Sequence, residues 1–278
     1  MFTPKIIALD LDGTLFARNG TITPYTKEQI KAAKDKGITI VLSTGRPYAG
    51  LPIEEAKALG ISYAITANGA GIYQIEGKHC LYEEGMPPQT AARLLKELFQ
   101  MHLHLDAFIN GDAYAQPSTL PLVKKCTFPD SVKEYIMTSR IRIDDLPSYI
   151  IEHPLTLQKS TLNFEPDTDG SFIDREKTKA FLFSQPDIQT VSGGYNNLEF
   201  TKKGVTKAKG LQFLCDHLQI PIEASMVCGD SENDADILKA AGFAVAMENA
   251  TDSIKSICDY VTSSCDDDGV GHAIAKVL

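Results

Sequence analysis

The sequence predicts an α/β fold, a parallel-sheet core interrupted by an inserted α+β module. Three observations predict it. Both ends of the chain alternate short β-branched, apolar runs with helical stretches, the order that builds a parallel sheet through right-handed crossovers. The middle breaks that alternation with short strands and short helices, as a separate α+β unit does. In both flanks, acids and hydroxyls fall where predicted strands end, at the carboxyl edge where such sheets gather function.

Residues 5–11 form a short apolar run that breaks at Asp12-Gly13-Thr14, a strand entering a loop. Thr23-Pro24 pairs an N-cap with a proline at the first helical position, and the helix runs to its stop at Gly37. Residues 38–43 form a second buried strand with its loop at Thr44-Gly45-Arg46-Pro47; a helix over 54–59 ends at Gly60, and a third strand over 61–66 ends at Asn68-Gly69-Ala70. After Tyr82 the texture changes. Pro87-Pro88 opens an amphipathic helix over 89–102, followed by strands at 103–109, 113–116 and 156–164 and helices at 130–138 and 175–183. Asp167-Thr168-Asp169-Gly170 and Ser192-Gly193-Gly194 read as turns. The βα alternation returns with a helix at 207–218, a strand at 225–228 ending in Gly229-Asp230-Ser231, a helix at 233–241 and a strand at 243–247, and residues 269–277 close the chain. The expected division is a core of residues 1–82 and 196–278 around an insert of 83–195.

At 278 residues, 43% hydrophobic and 23% charged, the chain is long enough for a substantial core. Its formal charge of −9 argues against a broad nucleic-acid footprint and against a polybasic membrane anchor. No run of apolar residues is long enough to span a bilayer. The six cysteines lack C-x-x-C spacing, so they read as reduced structural thiols and the expected location is the cytoplasm.

Four segments carry chemistry. In Leu9-Asp10-Leu11-Asp12-Gly13-Thr14, alternate side chains share a face, so Asp10 and Asp12 can turn toward one site. Two such carboxylates repel unless a cation lies between them or one holds a proton. The pair suits a hard ion such as Mg²⁺, or a division between nucleophile and acid/base. In Ser43-Thr44-Gly45-Arg46-Pro47, a hydroxyl and backbone N–H groups could hold an anionic oxygen, although an ordinary helix cap accounts for them too. Lys207 stands early in a helix against the helix dipole. A phosphate would explain it, but Lys203 and Lys209 compete for the role. In Gly229-Asp230-Ser231-Glu232-Asn233-Asp234, capping explains one or two of the residues, while a metal site using Asp230 and Asp234 explains more. Convergence of the four would make a Mg²⁺-assisted phosphoryl-transfer site.

These segments, with Asn68-Gly69-Ala70, the long insert and Asp259-Tyr260-Val261-Thr262, resemble the signature motifs of the haloacid dehalogenase superfamily and its Cof-type phosphatases. The resemblance implies a Rossmann-like core with an α/β cap that closes over the site and selects the substrate. It implies Asp10 as nucleophile forming an aspartyl-phosphate and Asp12 as general acid and then base. Mg²⁺ would be held by Asp10, the backbone carbonyl of Asp12 and Asp230, with Asp234 supporting. The phosphoryl group would be held by Thr44, Gly45, Lys207 and Asn233 and by the amide of Leu11. Arg46 and Asn68 are candidates for contacting the leaving group. The family context Gly-Val-Ser-Lys-Gly stands here as Gly204-Val205-Thr206-Lys207-Ala208, an alignment that favours Lys207.

The expected function is therefore a Mg²⁺-dependent phosphatase of a small phosphorylated metabolite, such as a sugar phosphate. A phosphomutase sharing the phospho-aspartate is the alternative. A receiver-like signalling module is disfavoured by Asp12, for which a receiver has no use, and by the size of the insert.

Overall fold

The computed structural model describes residues 2–192 and 196–278. Gly193 and Gly194 of the expected turn lie outside the described residues. The strands in chain order are β1 (Ile6–Leu9), β2 (Thr39–Ser43), β3 (Tyr63–Thr66), β4 (Gly71–Gln74), β5 (His79–Glu83), β6 (His104–Ile109), β7 (Asp112–Ala115), β8 (Ile141–Arg142), β9 (Lys159–Asn163), β10 (Ile188–Ser192), β11 (Leu198–Lys202), β12 (Ser225–Gly229), β13 (Phe243–Ala246) and β14 (Tyr260–Val261). They form an eight-stranded sheet ordered β14-β13-β12-β1-β2-β3-β4-β5 and a six-stranded sheet ordered β10-β11-β9-β6-β7-β8. The chain divides into two compact units, Met1–Tyr82 with Thr206–Leu278, and Glu83–Val205.

In the first unit β1 lies at the centre, parallel to β2 on one side and β12 on the other, with Leu9 level with Leu42 and Cys228. Side chains alternate across it. Ile7 and Leu9 join Ile30 and Ala33 of α1 (Pro24–Asp35) on one face. Ile6 and Ala8 join residues of the later core helices on the other. A strand buried on both faces is why 5–11 reads as a continuous apolar run rather than an alternating one. Helix α1 begins as expected, with the Thr23 hydroxyl accepting from the Thr26 amide at 3.3 Å and proline inside the first turn. Helix α2 spans Ile53–Ala58. The sheet turns antiparallel at β3–β4, beyond the parallel region.

The second unit packs α3 (Pro88–Leu98) against one face of its sheet, where Leu94, Leu95 and Leu98 meet Leu105, Leu162 and Phe200. Helices α4 (Leu120–Val123) and α5 (Asp130–Ser139) share a smaller apolar cluster with Ala115 of β7. Helices α6 (Leu146–Glu152) and α7 (Arg175–Phe183) complete it. This unit extends past the expected limit at 195. Leu198–Lys202 pairs antiparallel with both β9 and β10, so β11 is a strand of the second sheet and the unit runs to Val205. The reason is non-local: a five-residue alternating strand does not declare which sheet it will join.

The chain then adds α8 (Lys207–His217), α9 (Ala235–Ala240), α10 (Asp252–Lys255) and α11 (Gly269–Val277) to the first unit. Leu211 and Leu214 of α8 and Leu238 of α9 cover the face opposite α1, while Val270 and Ile274 of α11 lie on the same face as α1. No helix among the described residues is long and apolar enough to cross a membrane.

Candidate active site

The ladder of β1 continues one residue beyond the strand, with the Asp10 amide donating to the Cys228 carbonyl at 3.1 Å. Asp10 is thereby held at the carboxyl edge of the central strand, 6% exposed. Beyond it the backbone folds back on itself. Leu15 N–H donates to Asp10 O at 3.1 Å and Phe16 N–H to Leu11 O at 2.9 Å. Gly13 sits in this turn at φ +83°, and a Cβ there would lie 2.4 Å from Asp230 Oδ2. Only glycine lets the turn and the Asp230 carboxylate come this close. The Thr14 hydroxyl donates to Asp230 Oδ1 at 3.3 Å.

Lys207 is the first residue of α8, after Thr206, whose hydroxyl accepts from the Lys209 amide at 3.2 Å. Its side chain is fully buried, and its ammonium donates to Asp10 Oδ1 at 2.7 Å and Asp234 Oδ1 at 2.6 Å. These carboxylates offset an otherwise unfavourable place for a cation, at a helix N-terminus and out of water. Lys203 and Lys209 are exposed. The approach of α8 depends on Gly69, at φ +101°, because a Cβ there would lie 2.1 Å from the Thr206 carbonyl oxygen.

The segment after β12 serves capping and clustering together. Asp234 accepts from the Asp230 and Ser231 amides through Oδ2, at 3.1 and 3.3 Å, and takes Lys207 through Oδ1. Ser231 donates to Asn233 Oδ1 at 2.6 Å. Asp10, Asp230 and Asp234 each offer an oxygen within 4.8 Å of the others.

Burial and the charge of Asp234 hold the Asp10 carboxyl well above the usual carboxylate range, despite Lys207 against it. Burial and Asp234 likewise push Asp230 up to about 6. Burial opposes the charge on Lys207, but Asp10 and Asp234 overcome it and keep the ammonium protonated. Three carboxylates and one ammonium leave an excess of two negative charges when all are ionised, and a divalent cation would neutralise it. All-oxygen donors suit Mg²⁺, so the donor set and its charge fit that ion.

The remaining expected residues are placed as follows. Asp12, with a side chain 62% exposed, is not one of that trio and accepts from Arg46, which donates through Nε and Nη2 at 2.8 and 2.5 Å. Arg46 also donates to the Gly50 carbonyl at 3.1 Å and lies over the Phe16 ring. Thr44 is buried, and its amide donates to Ile65 O at 2.8 Å as the ladder continues past β2. Its hydroxyl accepts from the Arg46 amide at 3.2 Å. Gly45 lies between these two anchored residues. Asn68, 8% exposed and at φ +58°, is an internal residue whose amide donates to the Thr44 carbonyl at 3.1 Å. Leu11 is fully buried. Two residues with no role expected from sequence also border the site: Thr14, quoted only as part of the first motif, and Asn249, whose Nδ2 donates to the Gly13 carbonyl at 2.8 Å. Asn249 lies just past β13, the next parallel strand, so the carboxyl-edge rule that found Asp230 could have found it.

Residues 7–274 match the family described as haloacid dehalogenase-like hydrolases. Phosphatase YwpJ of Bacillus subtilis is 28% identical over 99% of this chain and 100% of its own. The 5-amino-6-(5-phospho-D-ribitylamino)uracil phosphatase YcsE of the same organism is 29% identical over 97% of this chain and 94% of its own. Among solved structures, a haloacid dehalogenase-like hydrolase from B. subtilis superposes with a TM-score of 0.82 at 27% identity, covering 99% of this chain and 100% of that one.

Proposed function

The chain belongs to the haloacid dehalogenase-like hydrolases, and from that premise we propose that it is a Mg²⁺-dependent phosphatase of a small phosphomonoester, a sugar or polyol phosphate or related metabolite, acting through an aspartyl-phosphate on Asp10. One observation carries the reading: a buried carboxylate at the end of the central strand has an ammonium at 2.7 Å and two further carboxylates close by. A relative named for a phosphorylated ribityl compound supports the substrate class. The inserted unit is assigned the part of the family's cap domain, which chooses among leaving groups.

Asp10 attacks the phosphorus through a carboxylate oxygen, and the bond to the leaving oxygen breaks as Asp12 delivers a proton to it. Asp12 then takes a proton from the water that attacks the phosphorus of the aspartyl-phosphate, which regenerates Asp10 and releases inorganic phosphate. Lys207 keeps Asp10 oriented and balances charge on the phosphoryl oxygens. The Thr44 hydroxyl, the Gly45 and Leu11 amides and the Asn233 side chain are the proposed further donors to those oxygens. Asp234, with both oxygens already engaged, supports Lys207 and the Asp230 loop. Mg²⁺, held by Asp10, the Asp12 carbonyl and Asp230, would supply charge neutralisation of the phosphoryl group.

The test is phosphate release from a panel of sugar and polyol phosphates with Mg²⁺, for the native protein and Asp10→Asn. The reading requires free phosphate from the native protein and none above background from Asp10→Asn. Isomerised sugar phosphate without phosphate release would identify a mutase instead.

A further inference from the structure

Asn249 makes two backbone bonds across the chain. Its Nδ2 donates to the Gly13 carbonyl at 2.8 Å, and its Oδ1 accepts from the Cys265 amide at 2.9 Å. The first reaches the turn that carries Asp12. The second reaches the loop between β14 and α11, where Asp266 accepts from the Arg18 amide at 2.8 Å and pairs with its side chain. The turn is thus bonded to the loop after β13 and, through Asn249, to the loop before α11, while Gly13 and Thr14 lie against Asp230.

We propose that Asn249 is a positioning residue for metal binding: it clamps the Gly13 carbonyl and so fixes the Asp12-Gly13 backbone relative to the Asp230 carboxylate. The physical reason lies in the turn itself. Gly13 has a wide choice of backbone conformations and no side chain to anchor it. The local bonds of the turn run from the Thr14, Leu15 and Phe16 amides to the Asp10 and Leu11 carbonyls. The Asn249 amide therefore gives the Gly13 carbonyl a partner from outside the turn. Its orientation is set by the Cys265 N–H, which selects Oδ1 as acceptor and leaves Nδ2 directed at Gly13. A residue that orients a ligand-bearing backbone without binding the ion acts as outer-shell hydrogen-bond partners do, and loss of such a partner weakens metal affinity by roughly 10–100-fold.

The inference rests on the proposed Mg²⁺ site, and the experiment separates the two. Mn²⁺ binding is measured by electron paramagnetic resonance, and the Mg²⁺ dependence of phosphate release by steady-state kinetics, for native protein, Asn249→Asp, Asn249→Gln, Asp230→Asn and Asp10→Asn. Asn249→Asp keeps an acceptor for Cys265 but sets an oxygen against the Gly13 carbonyl; Asn249→Gln keeps the amide on a longer stem. The expected result is a Mn²⁺ dissociation constant and a Mg²⁺ activation constant both raised about tenfold or more in Asn249→Asp, with kcat at saturating Mg²⁺ within about threefold of native. The Gln variant should fall between. Unchanged ion constants in Asn249→Asp, or a loss of kcat that saturating Mg²⁺ does not restore, would overturn the clamp. If Asp230→Asn binds Mn²⁺ as the native protein does, the metal site itself is misassigned; if Asp10→Asn still turns over, the proposed function is.

Discussion

Arg46 holds Asp12 in a two-point grip, Nε on Oδ2 at 2.8 Å and Nη2 on Oδ1 at 2.5 Å. A planar guanidinium fork fixes the plane of a carboxylate in a way that an ammonium cannot. Asp12 is the proposed proton donor, and its largely exposed side chain has little packing to hold it. Arg46 therefore orients the acid in addition to any contact with a leaving group.

That arrangement predicts selectivity by leaving group. Arg46→Gln should lower kcat/KM for an alkyl phosphate, whose departing oxygen needs a proton, by about tenfold, a part of the 10²–10⁴ that acid catalysis supplies. For p-nitrophenyl phosphate, whose leaving group departs as a stable anion, the loss should stay within about threefold. Equal losses on both substrates would remove Arg46 from the proton-transfer step.

Lys207 predicts a stability effect as well as a catalytic one. Lys207→Met preserves much of the side-chain volume and leaves Asp10 and Asp234 without their shared cation. Breaking a buried pair by removing one partner costs about 3–5 kcal/mol. Urea unfolding in chelator at pH 7 should show a loss of that order. Phosphate release should fall at least 100-fold, as when a single electrostatic contact to a transition state is removed.

The raised carboxyls predict opposite pH trends with and without metal. Asp230 in the folded, metal-free protein holds its proton up to about pH 6, whereas the unfolded chain releases it near the ordinary value of 3.8. Between those values the folded state binds more protons, so stability without metal falls as pH rises through this window. Asp10 is shifted in the same direction and adds to the trend. Mg²⁺ needs the ionised form, so its apparent affinity should fall by about tenfold per unit as pH drops below 6, for each proton displaced. Thermal unfolding with and without Mg²⁺ between pH 4 and 7.5 checks both trends, and parallel curves would contradict them.

Gly69 predicts that a single methyl disturbs the cation. The Cβ of Gly69→Ala would meet the Thr206 carbonyl at 2.1 Å in a conformation that alanine rarely adopts. The strain alone is on the order of 1–3 kcal/mol. Relief by retreat of α8 would carry Lys207 away from Asp10. The variant should lose stability in this range and lose kcat more than KM rises; native kinetics in a folded Gly69→Ala would show that Lys207 does not depend on this approach.

Much of this was legible in the residues. Helix α7 falls on the expected span, 175–183. Helix α1 begins at the Thr23 cap because capping is a local matter. The parallel core followed from β1, β2 and β3, whose burial on both faces makes them continuous apolar runs. The convergence of Asp10, Asp230 and Asp234 was legible through the rule for strand ends, whereas Lys207, 197 positions from Asp10 and at a helix start, was chosen over Lys203 and Lys209 only by the family resemblance. The pairing of β11 with β9 was not legible, because register between distant short strands depends on tertiary packing. Nor was the Asp12–Arg46 pair, since sequence places both residues in loops without saying which way either side chain turns.

The central claim, that Asp10 accepts the phosphoryl group, is tested most directly by trapping it. Asp12→Asn, lacking the base for the second step, is mixed with Mg²⁺ and excess p-nitrophenyl phosphate, quenched in acid within the first turnovers and analysed by peptide mass spectrometry. The account predicts one phosphoryl group on the peptide that carries Asp10, and its disappearance in the double variant with Asp10→Asn. Sustained phosphate release with no adduct, or an adduct on any other residue, would contradict it.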